Sequence, residues 1–133
     1  MIVADASVIV DVVVGSEHRE PALEALGGGG RVAAPELMPV EVVSAISRMA
    51  RAGVLSDDRA STAVRTLGDL PVQLFRHEGL VDRAFSLSTR FTVYDAVYVA
   101  LAEVLDATLV TRDARLARQA KSLVEVESIA GRG

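Results

Sequence analysis

Five short apolar runs separated by segments of helical character constrain this chain more than any other feature. The runs are Ile2–Ala4, 31–34, Val72–Phe75, 108–110 and 124–126. Short apolar runs of this kind suit strands buried on both faces of a sheet. The segments between them predict helices. Residues 7–14 form a continuous apolar stretch that Ser7 can cap. Residues 17–26 are polar, with Pro21 placed in the first turn. Pro39 opens a helix over 39–52, with Val43, Ile46 and Met49 at helical spacing and Gly53 as its stop. A helix over 56–67 follows, with Asp57 and Asp58 as first-turn acids favourable to the helix dipole. Residues 78–90 carry an apolar face of Leu80, Val81, Ala84, Phe85 and Leu87. Residues 94–105 are apolar almost all round, hence buried, and 114–121 make a short basic helix. Strands alternating with helices predict an α/β fold with a mostly parallel five-stranded sheet covered on both faces. At 133 residues the chain reads as one domain over 1–133. The glycine run at 27–30 reads as a connector, because it lacks the GKS or GKT ending of a phosphate loop and follows a helix. The tail 131–133 is expected to be frayed.

Four carboxylates interrupt this apolar pattern. Asp5 ends the opening run, Glu41 sits in Pro39-Val40-Glu41-Val42-Val43, Asp95 opens Asp95-Ala96-Val97-Tyr98-Val99-Ala100, and Asp113 closes Thr108-Leu109-Val110-Thr111-Arg112-Asp113. An ionised carboxylate does not enter a core unpaired. In a parallel α/β sheet, ligands bind outside the carboxyl ends of the strands, where strand order reverses. Asp5 follows the first strand and Asp113 the fourth, while Glu41 and Asp95 begin helices. The topology can therefore deliver all four to one end of the sheet. Clustered acids repel and raise one another's pKa unless a cation joins them. Mg²⁺ or Mn²⁺ is the natural partner of an all-oxygen donor set. Such an ion steadies charge on a phosphoryl oxygen and supplies a nucleophilic water, so metal-dependent phosphodiester hydrolysis is the leading reaction class.

Composition narrows the field further. There is no cysteine, which excludes disulfides, thiol nucleophiles and cysteine-based zinc sites and suits a reducing, cytoplasmic setting. Asp5 and Asp11 interrupt the apolar N-terminus and no positive region precedes it, unlike a signal peptide. No run approaches the ~20 apolar residues that span a bilayer. The net charge of −4 excludes a general basic coat for nucleic acid, and the 14 basic residues are all Arg except Lys121. Arginine suits bidentate phosphate contacts, although genomic base composition is the leading explanation of the bias.

Other residues near the acids have possible roles. Ser7 and Thr111 each lie two residues from an acid, where a hydroxyl could support a carboxylate; a helix cap and a turn hydroxyl are their structural alternatives. Arg112 could touch phosphate or simply be solvated. Asp11 is a fifth acid in apolar surroundings, read foremost as solvent-facing with a site role as the alternative. His18 and His77 lie in polar segments with no partner spacing and read as surface residues, which leaves a histidine zinc site unsupported.

At this point the motifs resemble those of a known family. Ile2-Val3-Ala4-Asp5-Ala6-Ser7-Val8-Ile9-Val10 looks like the opening of PIN-domain ribonucleases. Pro39-Val40-Glu41-Val42, Tyr94-Asp95-Ala96-Val97-Tyr98-Val99-Ala100-Leu101-Ala102 and Leu109-Val110-Thr111-Arg112-Asp113-Ala114-Arg115-Leu116 are similar to their second, third and fourth acidic motifs. Each motif alone is weak, but four in order are specific. Size and build resemble VapC-type toxins of bacterial toxin–antitoxin pairs. The resemblance implies a three-layer α/β/α sandwich and Mg²⁺- or Mn²⁺-dependent endoribonuclease activity. It implies Asp5, Glu41, Asp95 and Asp113 as the catalytic and metal-binding acids, supported by Ser7, Thr111 and Arg112. It also implies an RNA substrate, a homodimer, and a VapB-type antitoxin forming a heterotetramer or larger complex and burying a peptide near the acids. Two other readings compete. A carboxylate–Mg²⁺ phosphatase or phosphotransferase usually has a second Asp two residues after the first, where this chain has Ser7. A non-catalytic binding module of the same fold would be expected to have lost an acid, and all four are present.

Overall fold

The computed structural model describes residues 1–27 and 30–130. The centre of the 27–30 run and the 131–133 tail, expected as connector and frayed end, lie outside the described residues. The elements follow the order β1 (Ile2–Ala4), α1 (Ala6–Val14), α2 (Arg19–Leu26), β2 (Val32–Pro35), α3 (Leu37–Arg51), α4 (Asp57–Asp69), β3 (Val72–Phe75), α5 (Val81–Leu87), α6 (Val93–Leu105), β4 (Thr108–Thr111), α7 (Ala114–Ala120) and β5 (Val126–Ser128).

All five strands are parallel, in the order β3-β2-β1-β4-β5. The chain winds outward from β1 through β2 to β3, then returns to the other side of β1 with β4. Strand order therefore reverses at the β1/β4 pair, where Ala4 is in register with Val110. The residues that follow these two strands begin α1 and α7, so side chains from both turns meet at this switch point.

Helices cover both faces, as a parallel sheet requires. Leu109 and Val110 point to opposite sides of β4. Val110 packs with Val8, Val12, Ala22, Ala25 and Ile129, an α1–α2 layer. Leu109 belongs to the larger core with Val3, Ala33 and the buried face of α6. That helix is buried over Ala96–Ala102, as its all-round apolar sequence predicts.

Several boundaries differ from the sequence expectation, each for a local reason. Helix α3 begins at Leu37, ahead of Pro39, because His77 Nε2 accepts the Leu37 N–H at 3.0 Å. His77 is thus a helix cap supplied by the β3–α5 segment, not an idle surface residue, and it satisfies one of the helix's orphan donors. Pro39 fits in the first turn, where its missing N–H costs nothing. Glu41 consequently lies a turn into α3 instead of at its start. Gly53, with φ +75, ends α3 as expected. Pro35 does not stop β2 but closes it, in register with Phe75. Helix α5 is shorter than 78–90, because Leu80 N–H bonds His77 O in a turn before it and Ser88 N–H bonds Phe85 O at its end. Of its expected apolar face, Leu80, Ala84 and Leu87 are buried, but Val81 and Phe85 are exposed. Strand β5 starts at Val126, because residues 121–124 complete the turn out of α7, with Val124 N–H on Ala120 O.

Replacing His77 by Ala is expected to cost about 1 kcal/mol in urea unfolding, the usual worth of an N-terminal cap. An unchanged midpoint would show that water serves α3 equally well.

Candidate active site

Asp5 is the fixed point of the site. It occupies the N-cap position of α1 in extended conformation, yet its carboxylate makes no cap bond to that helix. Instead Oδ2 accepts the Ser7 hydroxyl at 2.7 Å and the Thr111 hydroxyl at 2.8 Å. Each hydroxyl also accepts a backbone N–H from the β4–α7 turn: Ser7 Oγ from Arg112 at 3.1 Å, and Thr111 Oγ1 from Asp113 at 3.0 Å. An oxygen that accepts the turn's N–H is free to point its own proton at Asp5, so the donor direction is set. Ser7 is therefore a brace between β1 and β4, not the cap expected for α1. Thr111 is fully buried, which puts this brace in the core.

The other three acids arrive from three helices. Asp95 lies in the first turn of α6, where its N–H bonds the capping Thr92 hydroxyl at 3.1 Å. Glu41 projects from α3, and the buried Tyr98 donates its phenol to Glu41 Oε1 at 2.7 Å. Asp113 caps α7: its Oδ1 accepts the N–H groups of Arg115 and Leu116 at 3.0 and 3.2 Å. The capping alternative for Asp113 thus holds for one oxygen, while its charge still reaches the other acids.

Electrostatics ties the four into a group. Burial, then the charge of Asp113, pushes the Asp5 carboxyl above its ordinary range, against the pull of the Ser7 and Thr111 hydroxyls and the Ala6 N–H. Burial raises Glu41, with Asp5 and Asp95 adding repulsion while the Tyr98 phenol opposes them. Burial raises Asp95, with Asp5 and Asp113 adding to it; the Thr92 contact and Arg115 offset only part. The Tyr98 phenol is driven up in turn by its own burial and by Glu41, which keeps it a donor. Among the described residues, no Arg or Lys offsets the charge of Asp5 or Glu41. The like charges therefore call for a cation from outside.

A divalent ion fits this donor set in one particular way. Among the described residues no three His, Cys, Asp or Glu side chains converge closely enough to grip a single ion. That arrangement disfavours a closed zinc or calcium cage. Mg²⁺ retains several waters and takes only one or two carboxylates directly, so acids spaced apart around a hydrated ion suit it.

Beside the acids, Arg112 and Asp11 form a second constellation. Arg112 Nε donates to Asp11 Oδ2 at 2.6 Å, and Ser16 donates to Asp11 Oδ1 at 2.8 Å. Asp11 is only 1% exposed, so it is a buried counter-ion and not the solvent-facing residue its sequence context suggested. Arg112 lines a cleft of about 380 Å³ with Ser7, Glu41, Arg48 and Met49, but its Nε is committed to Asp11. Sequence reasoning placed no site role on Tyr98, although a phenol in an otherwise apolar buried helix needs a partner, and that was the available signal. The His18 imidazole pairs with Glu17 at 3.5 Å, while the His18 backbone N–H donates to the Ser16 hydroxyl at 3.2 Å and so steadies the group that holds Asp11.

With this geometry in view, known proteins give a consistent answer. A model of the PIN domain matches residues 2–122. The chain belongs to the PIN-domain family. Among curated PIN relatives, Ribonuclease VapC3 of Mycobacterium tuberculosis is 36% identical over 117 residues, 88% of this chain and 85% of that protein. Ribonuclease VapC12 of the same species is 35% identical over 130 residues, covering 98% and 100%. The PIN fold is also shared with VapBC2 from Rickettsia felis, solved bound to a promoter DNA fragment, at TM-score 0.67, 14% identity and coverage of 96% and 98%. The expected α/β architecture and the resemblance to VapC-type PIN domains are both borne out.

Proposed function

We propose that this PIN-domain chain is a divalent-metal-dependent endoribonuclease and the toxin of a toxin–antitoxin pair. The observation that carries the reading is the group of four acids at the sheet's switch point, in which burial and neighbouring acids raise the pKa of Asp5, Glu41 and Asp95, with no side-chain cation on Asp5 or Glu41 among the described residues. The relatives' names supply the substrate class, since those proteins are ribonucleases.

In this reading Asp5, Glu41, Asp95 and Asp113 hold Mg²⁺ or Mn²⁺, directly or through its waters. An ion held by these residues would supply Lewis-acid charge at the scissile phosphate and lower the pKa of water. The protein's own groups prepare that chemistry. Ser7 and Thr111 both donate to Oδ2 of Asp5 and so fix the orientation of its carboxylate. Tyr98 holds Glu41 in one orientation, as an outer hydrogen bond does for a metal-binding carboxylate. Arg112, pinned by Asp11, fixes the turn that carries Asp113. The phosphatase alternative loses ground, because Ser7 bonds Asp5 where that chemistry wants a second acid.

The partners follow from the same reading: RNA as substrate, a VapB-type antitoxin that masks the acids, and assembly as a homodimer within the complex. Among the described residues, no helix is long and apolar enough to cross a membrane, in keeping with a cytoplasmic setting.

The direct test is RNA cleavage by the purified chain. Cutting is expected with Mg²⁺ or Mn²⁺, to stop with EDTA, and to return when metal is restored. Cleavage that persists in EDTA would overturn the metal-dependent reading. An RNA left intact under all metal conditions would overturn the nuclease reading itself.

A further inference from the structure

Tyr94 stands immediately before Asp95 at the start of α6 and is 63% exposed. Of the chain's five aromatic residues, Phe91 and Tyr98 are buried and Phe75 is half-buried. Phe85 is the other exposed one, but it lies on α5 and lines none of the clefts around the acids. Tyr94 is not idle surface. It lines a cleft of about 270 Å³ with Leu37, Val40, Glu41, Ser44 and Arg48.

Arg48 is the second element. It lies two turns after Glu41 on α3, roughly 10 Å along the helix. It lines both this cleft and the neighbouring one that Glu41 shares with Ser7 and Arg112. The two clefts thus join along the Glu41–Arg48 edge of α3. Arg112 is engaged by Asp11, whereas Arg48 bonds only the Ser44 hydroxyl, at 2.9 Å, and has no carboxylate partner among the described residues. A polyanion approaching four acids needs a positive contact on its path, and Arg48 is the arginine of these clefts that is still available for one.

We propose that Tyr94 and Arg48 form a subsite for single-stranded RNA next to the acids, with Tyr94 stacking a base and Arg48 binding an adjoining phosphate. This rests on the nuclease reading above and adds two substrate-positioning residues outside the acids to it. An exposed ring accepts the face of any unstacked base, so the subsite admits many sequences but only unpaired ones. Bases within a duplex are already stacked and cannot lie on Tyr94. Selection at this position is therefore for a loop or an unpaired segment.

The test is binding without cleavage. A fluorescein-labelled, mixed-sequence RNA of about 12 nucleotides is titrated in EDTA against the wild-type chain and read by anisotropy. Tyr94→Ala is expected to weaken binding about tenfold, the usual range for loss of one stacked base. Tyr94→Phe and Tyr94→Trp are expected to stay within about twofold of wild type, because both keep a ring to stack on. Arg48→Gln is expected to lower the slope of log Kd against log salt by about 0.7, one phosphate contact to a single strand. A fully paired RNA duplex should bind Tyr94→Ala and wild type alike. The exposed position of Tyr94 makes unfolding by these substitutions a poor explanation of any loss, and circular dichroism checks it. If Tyr94→Ala binds the single strand as tightly as wild type, the subsite is overturned, and a protein partner becomes the better occupant of the cleft. If the wild-type chain binds no RNA at any salt concentration, the subsite is overturned, while the nuclease reading is decided separately by the cleavage test with metal.

Discussion

Asp5→Asn should lower metal-dependent RNA cleavage by at least about 100-fold while leaving the fold intact or firmer. The size follows from removing one anionic ligand of an ion asked to supply several kcal/mol of charge stabilisation, with each 1.36 kcal/mol worth tenfold. The second half of the prediction comes from the site's electrostatics. Asp5 is buried, braced and raised above its ordinary carboxyl pKa of 3.8. A group raised in the folded state binds protons that the unfolded chain releases, so its stabilising contribution is full below 3.8 and is lost as pH rises through the raised value. Glu41 and Asp95 shift the same way, from 4.5 and 3.8, and act in the same direction. Without metal, the wild-type melting temperature should therefore fall as pH climbs from about 4 toward neutrality. Asn at position 5 keeps acceptors for Ser7 and Thr111 without the charge, so it should flatten that slope. Equal cleavage by variant and wild type would remove Asp5 from the chemistry. A steeper slope in the variant would contradict the burial argument.

The second large effect lies outside the acids. Arg112→Ala should cost about 2–3 kcal/mol in urea unfolding, because it strands a buried carboxylate whose remaining partner is Ser16. The value sits at the low end for broken buried pairs, since the Arg112 side chain is 37% exposed while that of Asp11 is 2% exposed. Combining it with Asp11→Ala should recover most of the loss, a coupling that a double-mutant cycle reads directly. Strictly additive losses would mean that the two residues do not act as a pair. Cleavage should also fall in Arg112→Ala, because the turn that carries Asp113 and donates to Ser7 loses its anchor.

These two residues also mark where the sequence stops being legible. The four acids announced themselves because each interrupts an apolar run, and an alternating strand–helix pattern allows few topologies. Strands β1 and β4 were equally plain, since their centres, Ile2-Val3-Ala4 and Leu109-Val110, are short apolar runs set between helical segments. Asp11 and Arg112 are 101 residues apart, and no local pattern says that one is buried against the other. The same holds for His77, which caps α3 from 40 residues away, and for Tyr98, whose partner Glu41 is 57 residues distant. Asp11 sits in a Val-rich helix where its charge suggested the solvent side; only the β4–α7 turn, folded over it, supplies the guanidinium that lets it be buried. The limits of α5 were unreadable for another reason. Phe85 and Val81 continue the helical spacing, yet tertiary packing leaves both in water.

The proposed active site stands or falls on whether the four acids hold one kind of ion together. Mn²⁺ titrated into the metal-free chain and followed by electron paramagnetic resonance answers this without any substrate. Saturable binding by wild type, weakened at least about tenfold by either Asp5→Asn or Asp95→Asn, is the expected result. Mn²⁺ bound equally by wild type and both variants, or not bound at all, would contradict a metal site built from these carboxylates.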